Sequence, residues 1–272
     1  SSVEAFARTL KVHRRTMERI WAGEQTPGTS GTSACAALTL LTETPDADDE
    51  RTQQDEEDQA RETEAAIEAA TLATARAGAD TDIDHERALL EEMTNVADAA
   101  RGQPDARIRY LIDWISKHLC PGVRSPGQRS PHPDATWTDL RLLIFTEYDD
   151  TKRYLVGMLR AAIAGTDLAE HRIEVFHGPT PPDKREAIKR AFNQAPAEHP
   201  LRILVATDAA REGLNLQAHC WHLFHFDVPW NPARLEQRNG RIDRKLQPSS
   251  EVYCHLNPAS KVLGARCVTL GG

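Results

Sequence analysis

The second half of this 272-residue chain predicts an α/β fold, a parallel sheet flanked by helices, preceded by a helical, acidic N-terminal region. Two features point there. From residue 140 onward, short apolar runs at 140–145, 173–176, 203–206 and 222–226 alternate with helical segments such as 151–164 and 183–192. Strands that are apolar along their whole length and separated by helices pair in parallel, with both faces of the sheet covered. Up to about residue 102 the chain is instead rich in Ala, Glu, Gln and Arg, with almost no clustering of β-branched or aromatic residues, which favours helices.

Taken in order, residues 1–22 read as an amphipathic helix. Val3, Phe6, Leu10, Met17 and Ile20 fall near helical spacing, with basic residues on the other face. Gly, Pro, Ser and Thr at 23–33 end it, and from 34 to 102 helices are expected with interruptions near Pro45 and Gly78. Residues 43–68 hold twelve carboxylates against Arg51 and Arg61, a local charge of −10 in a chain whose total is −8, so the remainder carries +2. Overall acidity therefore does not exclude a nucleic-acid partner. The acidic stretch is either a solvated or partly disordered surface, or a docking site for a basic protein partner or a nucleic-acid mimic. Residues 107–119 form a further helix with Ile108, Leu111, Ile112 and Ile115 on one stripe, and 120–133, rich in Pro, Gly and Ser, form a linker. Two domains are expected, 1–102 and 103–272.

No run approaches the roughly 18 consecutive apolar residues of a membrane span, and the N-terminus lacks the apolar core and cleavage site of a secretion signal. Cys35, Cys120, Cys220, Cys254 and Cys267 make no CxxC pair or zinc-ligand spacing, so no metal site is expected and reduced thiols in a cytoplasmic protein are.

In an open parallel sheet ligands gather at the carboxyl ends of the strands, so the residues just after each apolar run carry the chemistry. After the first run stand Thr146 and Glu147, then a helix opening at Asp149 or Asp150. A hydroxyl and free amides there either hold a phosphate or simply cap the helix. The second run ends in His177 and Gly178 before a proline-bounded turn. That histidine has no metal-ligand companion at useful spacing, and a backbone-bonded surface histidine is the plain alternative. The third is followed at once by Thr207, Asp208, Arg211, Glu212, Gly213 and Asn215, where the glycine permits close backbone approach to a ligand. After the fourth, Trp230, Asn231 and Pro232 open a helix with Arg234, Gln237, Arg238, Arg241 and Arg244. Gln237, Arg241 and Arg244 share a face if the helix continues; if Gly240 ends it, the two arginines lie on a loop aimed by that helix. Guanidiniums stay ionised and offer planar, bidentate donors to the charge that grows on phosphate oxygens during phosphoryl transfer.

Together these segments, about residues 107–256, resemble the C-terminal RecA-like lobe of superfamily-two helicases and translocases, with motifs IV, V and VI in order. The wording VPWNPARLEQRNGRIDR is most similar to Swi/Snf-type ATPases, particularly the branch that includes the bacterial ATPase recycling RNA polymerase. The resemblance implies a RecA-like sheet and a motor lobe of a nucleic-acid-dependent ATPase. Arg244 would then be the arginine finger on the transferring γ-phosphoryl, supported by Arg241 and Gln237. Gly213 and Asn215 would approach the nucleotide, and Thr207, Thr146, His177 and Gly178 would contact the tracked strand. The implied cofactor is ATP with Mg²⁺, and the implied partner is nucleic acid, duplex DNA in preference to RNA. Residues 1–15 resemble the helix joining the two lobes. Two departures stand out: Lys245, Leu246 and Gln247 replace the usual Ile-Gly-Gln, and Asn239 replaces an apolar residue.

Such an ATPase also requires a lysine-bearing phosphate loop and an acidic Mg²⁺-holding pair. No GxxxxGK[ST] occurs in the sequence; residues 28–33 are glycine-containing but without lysine, and the DEED at 55–58 follows no apolar strand. The chain is expected to hold half of a composite site, inactive alone and completed by an N-terminal RecA-like lobe in cis or in trans. The alternative is a catalytically silent module that binds nucleic acid or protein through the acidic region. An unrelated nucleotide-binding α/β enzyme leaves the arginine string unexplained.

Overall fold

A computed structural model describes residues 3–23, 56–75, 82–128, 136–178, 180–208, 215–229, 231–245 and 247–256. The chain divides into two compact units, Ser1–Arg101 and Gly102–Gly272.

In the first unit α1 (Val3–Trp21) packs against α2 (Glu56–Ala75) and α3 (Ile83–Ala100). Its small core joins Ala7, Leu10 and Met17 of α1 to Leu90 and Ala97 of α3. Phe6, expected on the apolar stripe, is instead 47% exposed, and Ala7 takes the buried position beside it. Charge reinforces the packing. Arg8 pairs with Glu64 at 3.4 Å, Arg19 with Glu68 at 2.7 Å and Arg101 with Glu4 at 2.5 Å, while His13 Nδ1 lies 2.8 Å from Thr71 Oγ1. Part of the acidic stretch is thus committed to the basic face of α1 instead of standing open to solvent; residues 43–55, with the expected break near Pro45, and the break near Gly78 lie outside the described residues. Asp82 caps α3 by accepting from the Asp84 and His85 amides.

The second unit contains five parallel strands in the order β2-β3-β1-β4-β5: β1 (Leu142–Thr146), β2 (Ile173–Phe176), β3 (Ile203–Thr207), β4 (His222–His225) and β5 (Tyr253–Leu256). This is the expected RecA-like sheet, with β5 as an addition. Period-two alternation sorts the side chains. Leu142, Ile144, Ile203, Val205 and Phe224 meet α4 (Ala106–His118) and α5 (Asp149–Ile163) on one face. Leu143, Phe145, Leu204, Ala206 and Leu223 meet Ile188 and Phe192 of α6 (Pro182–Asn193) on the other, where Ile242 is also fully buried. Both faces are covered, which is why the strands read as continuous apolar runs.

The amino edge of the sheet is built from arginines. Arg141, Arg172 and Arg202 each immediately precede a strand, and the register of β2, β3 and β1 sets the three side by side. Arg202 donates to the carbonyls of Thr138, His199, Leu201 and Pro196 at 2.7–3.2 Å. Arg172 donates to the carbonyls of Asp167 and Pro200 and to the Asp167 carboxylate. Arg141 reaches the Leu201 and Phe192 carbonyls beside the Phe192 ring. Burial, then the neighbouring Arg202, lowers Arg141 to about 10. These guanidiniums satisfy loop carbonyls that no ladder reaches. Arg202→Ala should therefore leave the Thr138, Pro196 and His199 carbonyls without this donor, Leu201 keeping Arg141, and lower stability by about 2–4 kcal/mol in urea unfolding of the chain.

At the β4–β5 edge His222 and His255 stack, their Nδ1 and Nε2 atoms 3.2 Å apart, with Trp114 of α4 edge-on to both rings. Burial pushes both down to about 4, with His255 and His118 adding repulsion at His222 and His118 at His255. In the unfolded chain such rings titrate near ~6.5, so below that pH the unfolded state binds more protons and stability falls as pH drops towards 4. The melting temperature of the chain should fall between pH 7 and pH 5, and by less in His222→Gln/His255→Gln.

Candidate functional site

The last helix, α7 (Pro232–Asn239), is fixed at both ends by its sequence. Asn231 accepts from the Ala233 amide at 2.9 Å, Pro232 occupies the first turn where no amide is needed, and Gly240 terminates it. A Cβ at Gly240 would sit 3.3 Å from the Glu236 carbonyl oxygen. Two arginines one turn apart, Arg234 and Arg238, face three carboxylates at the carboxyl ends of adjacent strands: Glu147 after β1, Asp208 after β3 and Asp227 after β4.

Arg238 is the hub. Its Nε and Nη2 donate to the two oxygens of Asp208 at 2.6 Å each, and its Nη1 donates to the Asp227 carbonyl at 2.8 Å. Nη2 lies 3.5 Å from the Asp227 carboxylate, and the guanidinium lies 5.6 Å from the Phe145 ring centroid. The arginine is 1% exposed and Asp208 4%. Burial works against the charge on Arg238, but the hydrogen bond and charge of Asp208 outweigh it and raise the pKa. Arg234 donates to Glu147 at 2.9 Å. Burial, then the charges of Asp227 and Asp208, pushes Glu147 above the usual carboxylate range, and burial does the same to Asp227.

The expected site residues fall into three groups. Thr146 is fully buried and its hydroxyl donates inward to Asp227 at 2.5 Å, while the Glu147 amide donates to the same carboxylate at 2.8 Å. Both groups read as phosphate donors are therefore turned into the strand-end network, because a buried Asp227 requires donors. Thr207 is buried at the end of β3. His177 and Gly178 follow β2 half-buried: the His177 amide donates to Thr180 Oγ1 at 3.1 Å, its ring lies 3.4 Å from Lys152 Nζ, and the Gly178 carbonyl accepts from Arg185.

In the second group, Asn215 and Arg244 are brought together across 29 positions. Arg244 Nη1 donates to Asn215 Oδ1 and its Nε to the Gly240 carbonyl at 2.6 Å, and both residues are exposed. The Arg241 carbonyl accepts from the Leu216 amide at 3.2 Å, with its residue half-buried. Because α7 stops at Asn239, Arg241 and Arg244 lie on the following turn; Gln237 remains on the exposed side of the helix, and the three do not share a helical face. The third group, Gly213 with Arg211, Glu212 and Trp230, lies outside the described residues.

Sequence reasoning passed over the roles of Arg234, Arg238, Asp208 and Asp227. The signal available was the i, i+4 spacing of the two arginines together with an acidic residue after each of three strands. It also passed over His225, which is buried and pushed down to about 4 by burial, then Arg238. Its Nε2 lies 2.9 Å from Asn239 Oδ1. Among the described residues no group of three or more His, Cys, Asp or Glu is arranged to hold a metal ion, and no helix is long and apolar enough to cross a membrane.

Residues 138–245 match the family described as helicase conserved C-terminal domain. YqhH of Bacillus subtilis (strain 168), described as an uncharacterized ATP-dependent helicase, is 38% identical over 124 residues, covering 45% of this chain and 19% of that protein. The RNA polymerase-associated protein RapA of Pectobacterium atrosepticum is 33% identical over 122 residues, 41% of this chain and 12% of that one. The ATP-dependent RNA helicase RhlB of Aliivibrio fischeri (strain MJ11) is 37% identical over 75 residues, 28% of this chain and 16% of that one. The chain thus spans a fifth or less of these curated relatives. The order of the strand-end segments, the parallel sheet that sets it and the match over residues 138–245 agree in likening this unit to the helicase conserved C-terminal domain.

Proposed function

We propose that this lobe supplies the arginine side of a composite ATP site in a Swi/Snf-type, nucleic-acid-dependent motor, with an N-terminal RecA-like lobe supplying the rest. The observation that carries the reading is the pairing of Arg244 with Asn215 on an exposed turn at the carboxyl edge, beside Arg241 and directly after a helix locked to the strand ends. An ionised guanidinium held there by one hydrogen bond to an amide and one to a carbonyl keeps donors for phosphate oxygens. As charge grows on the transferring phosphoryl, those donors strengthen their hold. Arg241 and Gln237 flank the same turn.

The residues present fit ATP but not its metal. Glu147, Asp208 and Asp227 are committed to Arg234 and Arg238, so Mg²⁺, which would supply charge neutralisation to the phosphates, would be held by the other lobe. Residues 1–102 would serve as the inter-lobe helical region, with Glu64 and Glu68 already committed to α1. The names of YqhH and RhlB favour ATP-dependent work on nucleic acid. The wording VPWNPARLEQRNGRIDR, which resembles Swi/Snf-type ATPases, favours that branch and hence duplex DNA.

The chain alone should release no phosphate from ATP. Joined to a lysine-bearing N-terminal lobe it should do so, with duplex DNA stimulating more than RNA. In that enzyme Arg244→Ala should lower kcat by about 10³-fold at an unchanged melting temperature. Unchanged turnover in that variant would remove Arg244 from the chemistry; no turnover in the unaltered two-lobe enzyme would leave the silent binding module as the reading.

A further inference from the structure

Arg238 does not reach solvent, so it cannot touch a nucleotide, yet it sits where the turn carrying Arg241 and Arg244 begins. Asp208 directly follows β3, and Arg238 ends the last full turn of α7 and leads into Gly240, Arg241 and Arg244. The turn is held at two levels. At the base, buried, Arg238 grips both oxygens of Asp208 at 2.6 Å. At the tip, exposed Arg244 donates to exposed Asn215, while the amide of buried Leu216 donates to the carbonyl of half-buried Arg241.

These two joints differ in strength. The exposed side-chain pair of Arg244 and Asn215 holds little on its own. A buried, bidentate guanidinium–carboxylate pair is charge-assisted and fixes direction as well as distance. Ile242, fully buried in the core beside α6, attaches the turn to the domain, but an apolar side chain imposes no heading on its neighbours. Main-chain bonds to Arg238 and Asn239, and Gln247 donating to the Ile242 carbonyl, hold the turn's shape, while the fork of Arg238, further tied by its Nη1 to the Asp227 carbonyl at 2.8 Å, seats the helix end from which the turn starts.

We propose that Arg238 is a positioning residue: its clamp on Asp208 orients the Arg241–Arg244 turn, so that the Arg244 guanidinium is delivered to phosphate in a fixed direction. The proposal rests on the reading of Arg244 as the phosphate-facing arginine. Lysine cannot replace Arg238, because a single ammonium is a point charge that cannot hold two carboxylate oxygens in one plane. A misdirected finger is felt in the transition state more than in the ground state, so the defect falls on kcat and not on KM.

Arg238→Lys and Asp208→Asn test this in two settings. In the chain as it stands, hydrogen exchange should quicken by about tenfold or more in peptides spanning 215–217 and 240–245. Strands β1 and β3 should keep their protection, and melting should remain cooperative. In the two-lobe enzyme kcat for ATP should fall by about tenfold or more with KM within about twofold. Unchanged exchange in those peptides and unchanged kcat would overturn the proposal. So would loss of protection across the whole sheet in both variants, since the clamp would then hold the fold and not the turn. If the wild-type two-lobe enzyme shows no turnover, the ATPase reading fails by itself; local loosening in the exchange experiment would still support the clamp, and its absence would overturn it.

Discussion

The carboxyl edge of this sheet depends on two arginines of one short helix neutralising carboxylates from three strands. Three acidic side chains gathered among hydrophobic neighbours repel one another and lose water, and each loss is worth several kcal/mol on the order set by ion desolvation. Arg238 offsets that loss through geometry, because a planar fork satisfies both Asp208 oxygens and still has a donor for the Asp227 carbonyl. Arg234 does the same less fully for Glu147, which is why burial and its acidic neighbours raise that carboxylate while Arg234 only moderates the shift. Once α7 is seated by these contacts, the position of the turn that follows is no longer free.

The two edges of the sheet solve the same problem with different partners. At the amino edge, Arg141, Arg172 and Arg202 point mainly at main-chain carbonyls, and their nearest carboxylates, Asp139 and Asp167, are mostly exposed. Burial therefore lowers the pKa of all three, with Arg202 adding to the shift at Arg141 and Arg172 to that at Arg202. At the carboxyl edge Arg238 meets carboxylates and moves the other way. Carbonyl partners make a rigid floor without chemistry. Carboxylate partners gather charge close to the candidate phosphate-facing turn while keeping those acids away from a metal.

The strands were legible because burial on both faces leaves a mark in each residue: 173–176 coincides with β2, and the others shift by one or two positions at their ends. β5 was not legible, since Tyr253, Cys254, His255 and Leu256 form no apolar run and the strand exists through pairing with β4 and through stacking on His222. The arginine string was legible as chemistry but not as a division of labour. Spacing cannot tell Arg238, turned into the domain, from Arg244, left outside it, because the helix end at Gly240 changes direction between them. The same limit applies to Thr146, whose hydroxyl faces inward for a reason located 81 residues away at Asp227.

The departures from the helicase pattern bear on whether the lobe has decayed into a silent module. Loss of selection would leave Asn239, in place of an apolar residue, as an unsatisfied amide near the core. Instead its Oδ1 meets the His225 ring at 2.9 Å and the Cys254 thiol at 3.3 Å, so a buried histidine, which needs a partner when neutral, finds one there. Gln247, beyond the altered Lys245 and Leu246, donates to the carbonyls of Cys220 and Ile242 at 3.0 and 2.7 Å and so ties the chain leaving the arginine turn back to the strand before it. Substitutions that arrive with their hydrogen-bond partners are changes of packing around an intact turn, and they leave the arginines' geometry standing.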